Sequence, residues 1–495
     1  MASVSSSLTQ LSVPEEPATA AANDAPPNDH AGRKPSAMLE DEKEESVENH
    51  EDDWKDAPEN PRNWSFGKKW NSAGVVSFYT FVPPLSSIIM APGLQEIAIM
   101  YSIASETVVA MTLSIFLIGL ALGVCSVSVL HLNNIIAIAF YLGCAFAPNA
   151  GALLAFRFLG HAPIAISAGV VSDLFVEQER AAAIAMISLG PLIGPVVGPI
   201  SGGFVAEKIG VKWVFIIVAA LGGVAGVYGI FCLRETYAPV FRLRKAKASG
   251  DPEAAEKHPP LPAETSSKLN YIWVNLSRPT ILLFGSVICF LLSLYMAFLY
   301  GIYYLMFTTF STLFSDVYGF DTGISGLTYI GLGVGFFIAT FLSARVASEI
   351  YLYLSKKNGG KGEPEMRIPP LVIGSLFVPF GLFWYGWSAQ AKIHWIMPII
   401  GSGIFGFGMM CAFLPIQLYL VDTFTYAASA LSAASVFRSL LGFAFPLFGE
   451  QIFDKLGNGG GNSLLGGLAI VLGIPFPIYL YYRGADIRKR SRLTR

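Results

Sequence analysis

Twelve stretches of about twenty apolar residues, each long enough to cross the hydrocarbon core of a bilayer, dominate this 495-residue chain. They fall at 70–91, 107–126, 128–147, 150–172, 182–205, 211–233, 280–306, 324–347, 368–388, 394–416, 426–449 and 463–482. In lipid every backbone polar group must be satisfied within the protein, so such a chain folds as transmembrane helices. Only 14% of its residues are charged and 53% are hydrophobic; a soluble protein carries roughly 25% charged residues. A soluble enzyme is therefore excluded as the first reading. The five cysteines all lie in apolar runs, which argues against a secreted disulfide framework and offers no metal-type spacing.

Charge is confined to the tails and loops and sets the organisation. Residues 1–65 form a Ser-, Pro- and Glu-rich tail with a dense acidic block at Glu40–Asp53, expected to be disordered in the cytosol. Two six-helix bundles, 66–233 and 280–483, are expected on either side of a polar central loop at 234–279, with a basic tail at 484–495. Lys68, Lys69, Arg242, Arg244, Lys356, Lys357, Lys361, Arg367, Arg488 and Lys489 all fall on one side of a twelve-span arrangement. Both termini are then expected to be cytosolic in a multi-pass protein of the cell membrane. From Thr107 to Ala147 there are 41 residues without Asp, Glu, Lys or Arg, so the second and third spans are joined by an abnormally short connection. A merged helix is the alternative, but an odd count would put the basic tail opposite the basic N-terminal flank.

Intramembrane polar groups are scarce. Gly190, Gly194, Gly198 and Gly202 recur every four residues in the fifth span and give a helix one face without side chains, suited to close packing. Pro191, Pro195 and Pro199 follow three of them, and Gly203 closes the run. Each proline removes a backbone donor, so the segment reads either as simple close packing or as a hinge or seal between two rocking halves. Arg157 lies well inside the fourth span, where a cation costs about 2.5–3.5 kcal/mol on insertion scales. It is expected to face a wet cavity or a carboxylate, with His161 one turn later, or else to bond helix carbonyls. In the seventh span Tyr300, Tyr304 and Phe307 share a helical face and Tyr303 adjoins it. An aromatic wall with hydroxyls suits flat, partly polar organic molecules, although belt or core packing is an equally common use. Asp173, Arg180, Asp422 and Arg438 lie towards cytosolic span ends as candidate gate residues, and no carboxylate stands at an obvious midplane position. The match of Gly401–Gly406 to a dinucleotide pattern has no preceding strand, and no Walker-type phosphate loop occurs.

Several segments together carry a family likeness: Asn60-Pro61-Arg62-Asn63-Trp64-Ser65, Gly190 to Gly203, Arg234-Glu235-Thr236-Tyr237-Ala238-Pro239, Ser277-Arg278-Pro279, Tyr300-Gly301-Ile302-Tyr303 and Tyr419 through Ala430. On these the chain from Asn60 onward resembles the major facilitator superfamily, and within it the twelve-span fungal drug:proton antiporters. The resemblance implies an all-α fold of two six-helix bundles and export of small amphipathic organic molecules by proton antiport, with no catalysis and no bound cofactor. It implies coupling at Arg157 and His161, a substrate path along Tyr300, Tyr303, Tyr304 and Phe307, and a monomer in lipid that binds no nucleic acid. Two departures stand out: the charged loop usual between the second and third spans is missing, and the fourth span is shortened after Leu159. An importer of a polyamine or nutrient on the same fold, or a non-transporting family member, are the alternatives.

Overall fold

The computed structural model describes residues 60–123, 130–160, 174–175, 177–233, 279–424 and 427–490, all within one unit of the chain, Pro58–Arg495. The acidic tail up to residue 59, most of the central loop, the connection at 124–129, His161 and Asp173 lie outside these residues. The described chain is helical, and each of the twelve apolar windows carries helix. The first half comprises α1 (Phe66–Ile88), the short α2 (Leu94–Met100), α3 (Glu106–Ser114), α4 (Phe116–Gly123), α5 (Leu130–Ala145), α6 (Ala150–Leu159), α7 (Glu177–Ile209) and α8 (Val211–Cys232). The second comprises α9 (Val287–Tyr318), α10 (Thr322–Leu327), α11 (Ile330–Lys357), α12 (Ile368–Gln390), α13 (Ile396–Thr423), α14 (Ala427–Gly473) and α15 (Pro475–Arg490).

Six helical stretches among the described residues are long and apolar enough to cross a membrane on their own. One of them contains two of the sequence windows: the helix from Ala427 is broken at Gly457, whose φ of 69° is left-handed and favours glycine, so the eleventh and twelfth passes turn there. Of the other windows, the first and fifth lie in α1 and α7, of 23 and 33 residues, and the second to fourth hold shorter helices. The second is interrupted at Ile115 between α3 and α4, and the fourth is described only to Leu159. The described parts of the second and third windows have different neighbours. α4 packs against α14 of the other half, whereas α5 packs against α8, where the Asn134 side chain donates to the Gly222 carbonyl at 2.9 Å. The outward faces are apolar: Val224, Val227, Ile230 and Phe231 of α8 are all exposed, and Phe231 is 80% accessible. That is the surface a lipid solvent calls for.

The Gly/Pro segment behaves differently on its two faces. Along α7, a side chain at Gly190 would meet the Ser77 carbonyl at 2.8 Å, one at Gly194 the Leu85 amide at 2.9 Å, and one at Gly202 the Ile89 carbonyl. The four-glycine stripe therefore beds α7 against α1 of its own half, in parallel register, and is not itself the contact between halves. The neighbouring face makes that contact, running antiparallel to the start of the eighth pass. A side chain at Gly203 would strike the Thr322 carbonyl at 2.8 Å, one at Gly326 the Pro199 carbonyl at 2.5 Å, and one at Gly333 would strike Val196.

This packing predicts that Gly194→Val lowers the midpoint of thermal unfolding in detergent, since forced overpacking costs about 1–3 kcal/mol. Gly467→Ala, where a side chain meets nothing within 4 Å, should leave the midpoint unchanged. Equal midpoints for both variants would show that α1 and α7 are not tightly bedded.

Candidate functional site

The interior between the halves is built from α1, α3, α4 and α6 on one side and α9 and α14 on the other. Arg157, near the end of α6, is 3% exposed. Its guanidinium donates to the carbonyls of Ser87 at 3.1 Å, Leu113 at 3.2 Å and Ser86 at 3.5 Å. These carbonyls lie in the last turns of α1 and α3, beyond the final helical bonds Ile89 N to Leu85 O and Ile115 N to Met111 O. A helix end leaves such carbonyls without backbone donors and concentrates partial negative charge on them. Arg157 thus closes two helix ends at once. Of the readings open at the sequence level, the geometry matches bonding to helix carbonyls, and no carboxylate pairs with Arg157 among the described residues. The remaining donor, Nε, is buried without a hydrogen-bond partner. Beside it the Ser86 hydroxyl and the Tyr141 hydroxyl are hydrogen-bonded at 3.0 Å.

From this clamp a row of rings crosses to the second half. The Arg157 guanidinium stands 5.5 Å from the Phe116 ring centre, Phe116 is 5.8 Å from Tyr304, and Tyr304 is 5.0 Å from Tyr300. The Tyr304 hydroxyl also reaches Ser87 of α1. At the far end of the row the Arg438 guanidinium lies 5.0 Å from the Tyr300 ring centre. A glycine makes room for this: a side chain at Gly442, one turn beyond Arg438, would touch both Tyr300 and Leu117 at 3.0 Å. The face of α14 that carries Arg438 is therefore the face on the seam.

The predicted aromatic wall is divided. Tyr300 and Tyr304 meet the first half, but Phe307 stacks on Tyr329 at 5.0 Å with planes 9° apart, and the Tyr329 hydroxyl donates to the Phe307 carbonyl at 3.0 Å. Tyr303 is buried between Phe307, at 4.6 Å, and Phe336, at 5.4 Å. Phe307 and Tyr303 are thus part of the core of the second half. The candidate gate residues separate as well. Asp422 pairs with Arg367 at 3.1 Å, so Arg438 is not its partner, and Arg438 stands over Tyr300 at the seam instead of at a span end. Asp173 lies outside the described residues, and Arg180 is placed only as part of α7.

At one end of the molecule the halves are fastened by polar contacts that sequence patterns did not single out. Thr322 of α10 donates to Glu96 of α2, the Gly323 amide donates to Glu207 at 2.8 Å, and Thr107 of α3 donates to the Leu447 carbonyl of α14 at 3.2 Å. Lys208, 2.5 Å from Glu207, and then the Gly323 amide hold the Glu207 carboxyl below the usual carboxylate range. Glu450 of α14 lies close to Glu106 of α3 across the same seam, with Asp454 and Asp316 nearby. No group of three or more His, Cys, Asp or Glu side chains that could hold a metal occurs among the described residues. Phe116 was the other omission. A phenylalanine in an uncharged run gives no signal until the guanidinium and Tyr304 are placed on its two sides.

Two helical bundles with a shared, guanidinium-flanked aromatic seam and a lipid-type exterior define an integral membrane protein of the transporter kind. The Major Facilitator Superfamily sequence model matches residues 72–446, and the chain belongs to that family. It is 41% identical over 451 residues to the MFS transporter cpaT of Aspergillus oryzae, covering 88% of this chain and 90% of that one. It is 37% identical over 474 residues to the efflux pump radE of Floropilus chiversii, covering 91% and 87%. Among solved structures, the xylose transporter XylE from E. coli, in a partially occluded inward open conformation, shares the fold with a TM-score of 0.58 at 15% identity, over 84% of this chain and 99% of that one. The protein is a multi-pass membrane transporter and not an enzyme.

Proposed function

We propose that this transporter exports a small amphipathic organic molecule from the cytosol by alternating access, in exchange for protons. The observation that carries the reading is the ring row Phe116, Tyr304 and Tyr300, contributed by both halves and bracketed by Arg157 and Arg438. A flat organic molecule fits such a surface, and rocking the halves would take the row apart and expose it to alternate sides. Relatives named as efflux pumps support the outward direction. The cell membrane is the location proposed, with both termini in the cytosol, because the basic residues Lys356, Lys357, Arg488 and Lys489 close α11 and α15 at one end.

Glu106 and Glu450 supply a route for coupling. Two carboxylates close together repel when both are ionised, so a proton held on one of them is favoured. Protonation from outside would then favour the fastened outer end, and loss of that proton would favour its opening. In this scheme Arg157 keeps the ends of α1 and α3 joined to α6 while the first half moves as a body.

Inside-out vesicles containing the protein, with an acidic lumen, should concentrate a fluorescent amphipathic dye, and a protonophore should abolish the accumulation. Glu450→Gln should leave dye movement down its own gradient but remove the response to pH. Accumulation that ignores the proton gradient would overturn antiport. Net uptake of labelled substrate by intact cells would reverse the direction, and no movement of any compound would favour a non-transporting family member.

A further inference from the structure

Arg438 is the one strong charge in the middle of the seam whose partner the protein does not supply among the described residues. It is half-buried, its Nε is buried without a hydrogen-bond partner, and neither a carboxylate nor a carbonyl accepts from any of its donors. Its recorded neighbour is the face of Tyr300. Arg157 differs, because three helix-end carbonyls take up its charge. A half-buried guanidinium with an unpaired buried Nε gains from an acceptor, and planar bidentate pairing with a carboxylate is the strongest one available to it. The carboxylates that the structure does show are all elsewhere. Asp422 is held by Arg367, Glu365 by Arg488 and Glu207 by Lys208 and the Gly323 amide, while Glu450 lies beside Glu106.

Resting on the exporter reading above, we propose that the transported molecule is an organic anion, an aromatic carboxylate whose charged group pairs with Arg438 while its ring lies along Tyr300 and Tyr304. Gly442, one turn from Arg438, lets α14 come close against Tyr300 and Leu117, since a side chain there would lie 3.0 Å from both. Tyr300 is itself only partly buried, whereas Tyr303 and Tyr304 are buried. Phe413 of α13 stands 6.4 Å from Tyr300 on its other side, so a ring entering here meets aromatic surface. Arginine over the Tyr300 face is both a cation for the carboxylate and a lid on the ring. A neutral or cationic molecule would leave that guanidinium without an acceptor, and charge selectivity follows from that cost.

The test is binding by the full-length protein in detergent, read by tryptophan fluorescence and by thermal stabilisation, with three probes of one ring size. They are 1-naphthoate (anion), 1-naphthamide (neutral) and 1-naphthylmethylammonium (cation). The parent should bind naphthoate about tenfold or more tightly than the amide, the margin of a charge-assisted hydrogen bond, and the cation least. Arg438→Gln should bind naphthoate and the amide alike while keeping its affinity for the amide, which also reports that the variant is folded. Arg438→Lys should keep a preference for the anion, reduced because lysine cannot form the fork. Should Arg438→Gln not fold, the selectivity of the parent and of Arg438→Lys decides the matter. Equal binding of all three probes by the parent, or an undiminished preference in Arg438→Gln, overturns the proposal. Dye export by parent vesicles without any preference for anions would sink the anion assignment and leave the exporter standing. Absence of all export would sink the exporter reading instead.

Discussion

Arg157→Ala should produce the largest loss of stability of any single change in the first half. The substitution removes the guanidinium from three buried carbonyls, those of Ser86, Ser87 and Leu113. Each acceptor left unpaired away from water costs about 1–3 kcal/mol, and low polarity around the site raises the stake. A loss of about 3 kcal/mol or more is expected, against the roughly 5–15 kcal/mol that holds a typical domain folded. The change also strips the cation from the Phe116 face and opens a gap between α1, α3 and α6. Thermal unfolding in detergent should show the midpoint falling sharply for Arg157→Ala and less for Arg157→Lys, which keeps the charge and fewer, differently aimed donors. An unchanged midpoint in Arg157→Ala would mean that the helix-end bonds contribute nothing. Transport per folded molecule separates clamp from coupling. If the surviving Arg157→Ala protein still responds to the proton gradient, the arginine holds the bundle and does not carry the exchange.

The same residue marks how far a sequence can be read. That Arg157 is buried among apolar helices follows from its position in the fourth window, because a lone charge in a long apolar run has few places to go. Its partners do not follow, because they depend on where α1 and α3 stop. Those stops, at Ile89 and Ile115, have no capping side chain to announce them. The all-helical, membrane-type fold was legible from hydropathy and charge alone. The turn at Gly457 falls in the charged gap between the eleventh and twelfth windows. The four-residue glycine period declared a close contact but not with which helix. Spacing defines a face, and the fold decides that this face meets α1 while Val196, Pro199 and Gly203 meet the other half. Arg438 shows the reverse case. Its distance from the span end suggested a role near the cytosol, but the small side of Gly442 draws it to Tyr300. No linear pattern links residues 300 and 438.

A second large effect is expected at the end of the second half where α11 finishes and α12 begins. Glu365 is 5% exposed and accepts both Nε and an Nη of Arg488 at 2.8 Å, the bidentate arrangement, with the Tyr419 hydroxyl 3.4 Å from the same carboxylate. Gly484 brings α15 directly onto it, since a side chain there would lie 2.6 Å from the Glu365 carboxylate. Beside this pair, Arg367 bonds Asp422 at 3.1 Å and stacks 3.8 Å from the centre of the Tyr351 ring. These charges tie α11, α12, α13 and α15 together within one half, whereas the uncharged stretch Thr107–Ala147 gives the first half no ion pair of this kind between its second and third spans. Breaking a buried pair by removing one partner costs about 3–5 kcal/mol, because the other charge is left without compensation. Glu365→Ala and Arg488→Ala should therefore each lower the unfolding midpoint steeply. The double variant, which leaves no orphaned charge, should be more stable than the sum of the two losses predicts. Strictly additive losses would show that the two side chains act independently and that α15 is held by its apolar contacts alone. Because both partners belong to the same half, export by folded Glu365→Ala at low temperature should retain its dependence on the proton gradient. A variant that stays folded and loses that dependence would place this cluster in the gate.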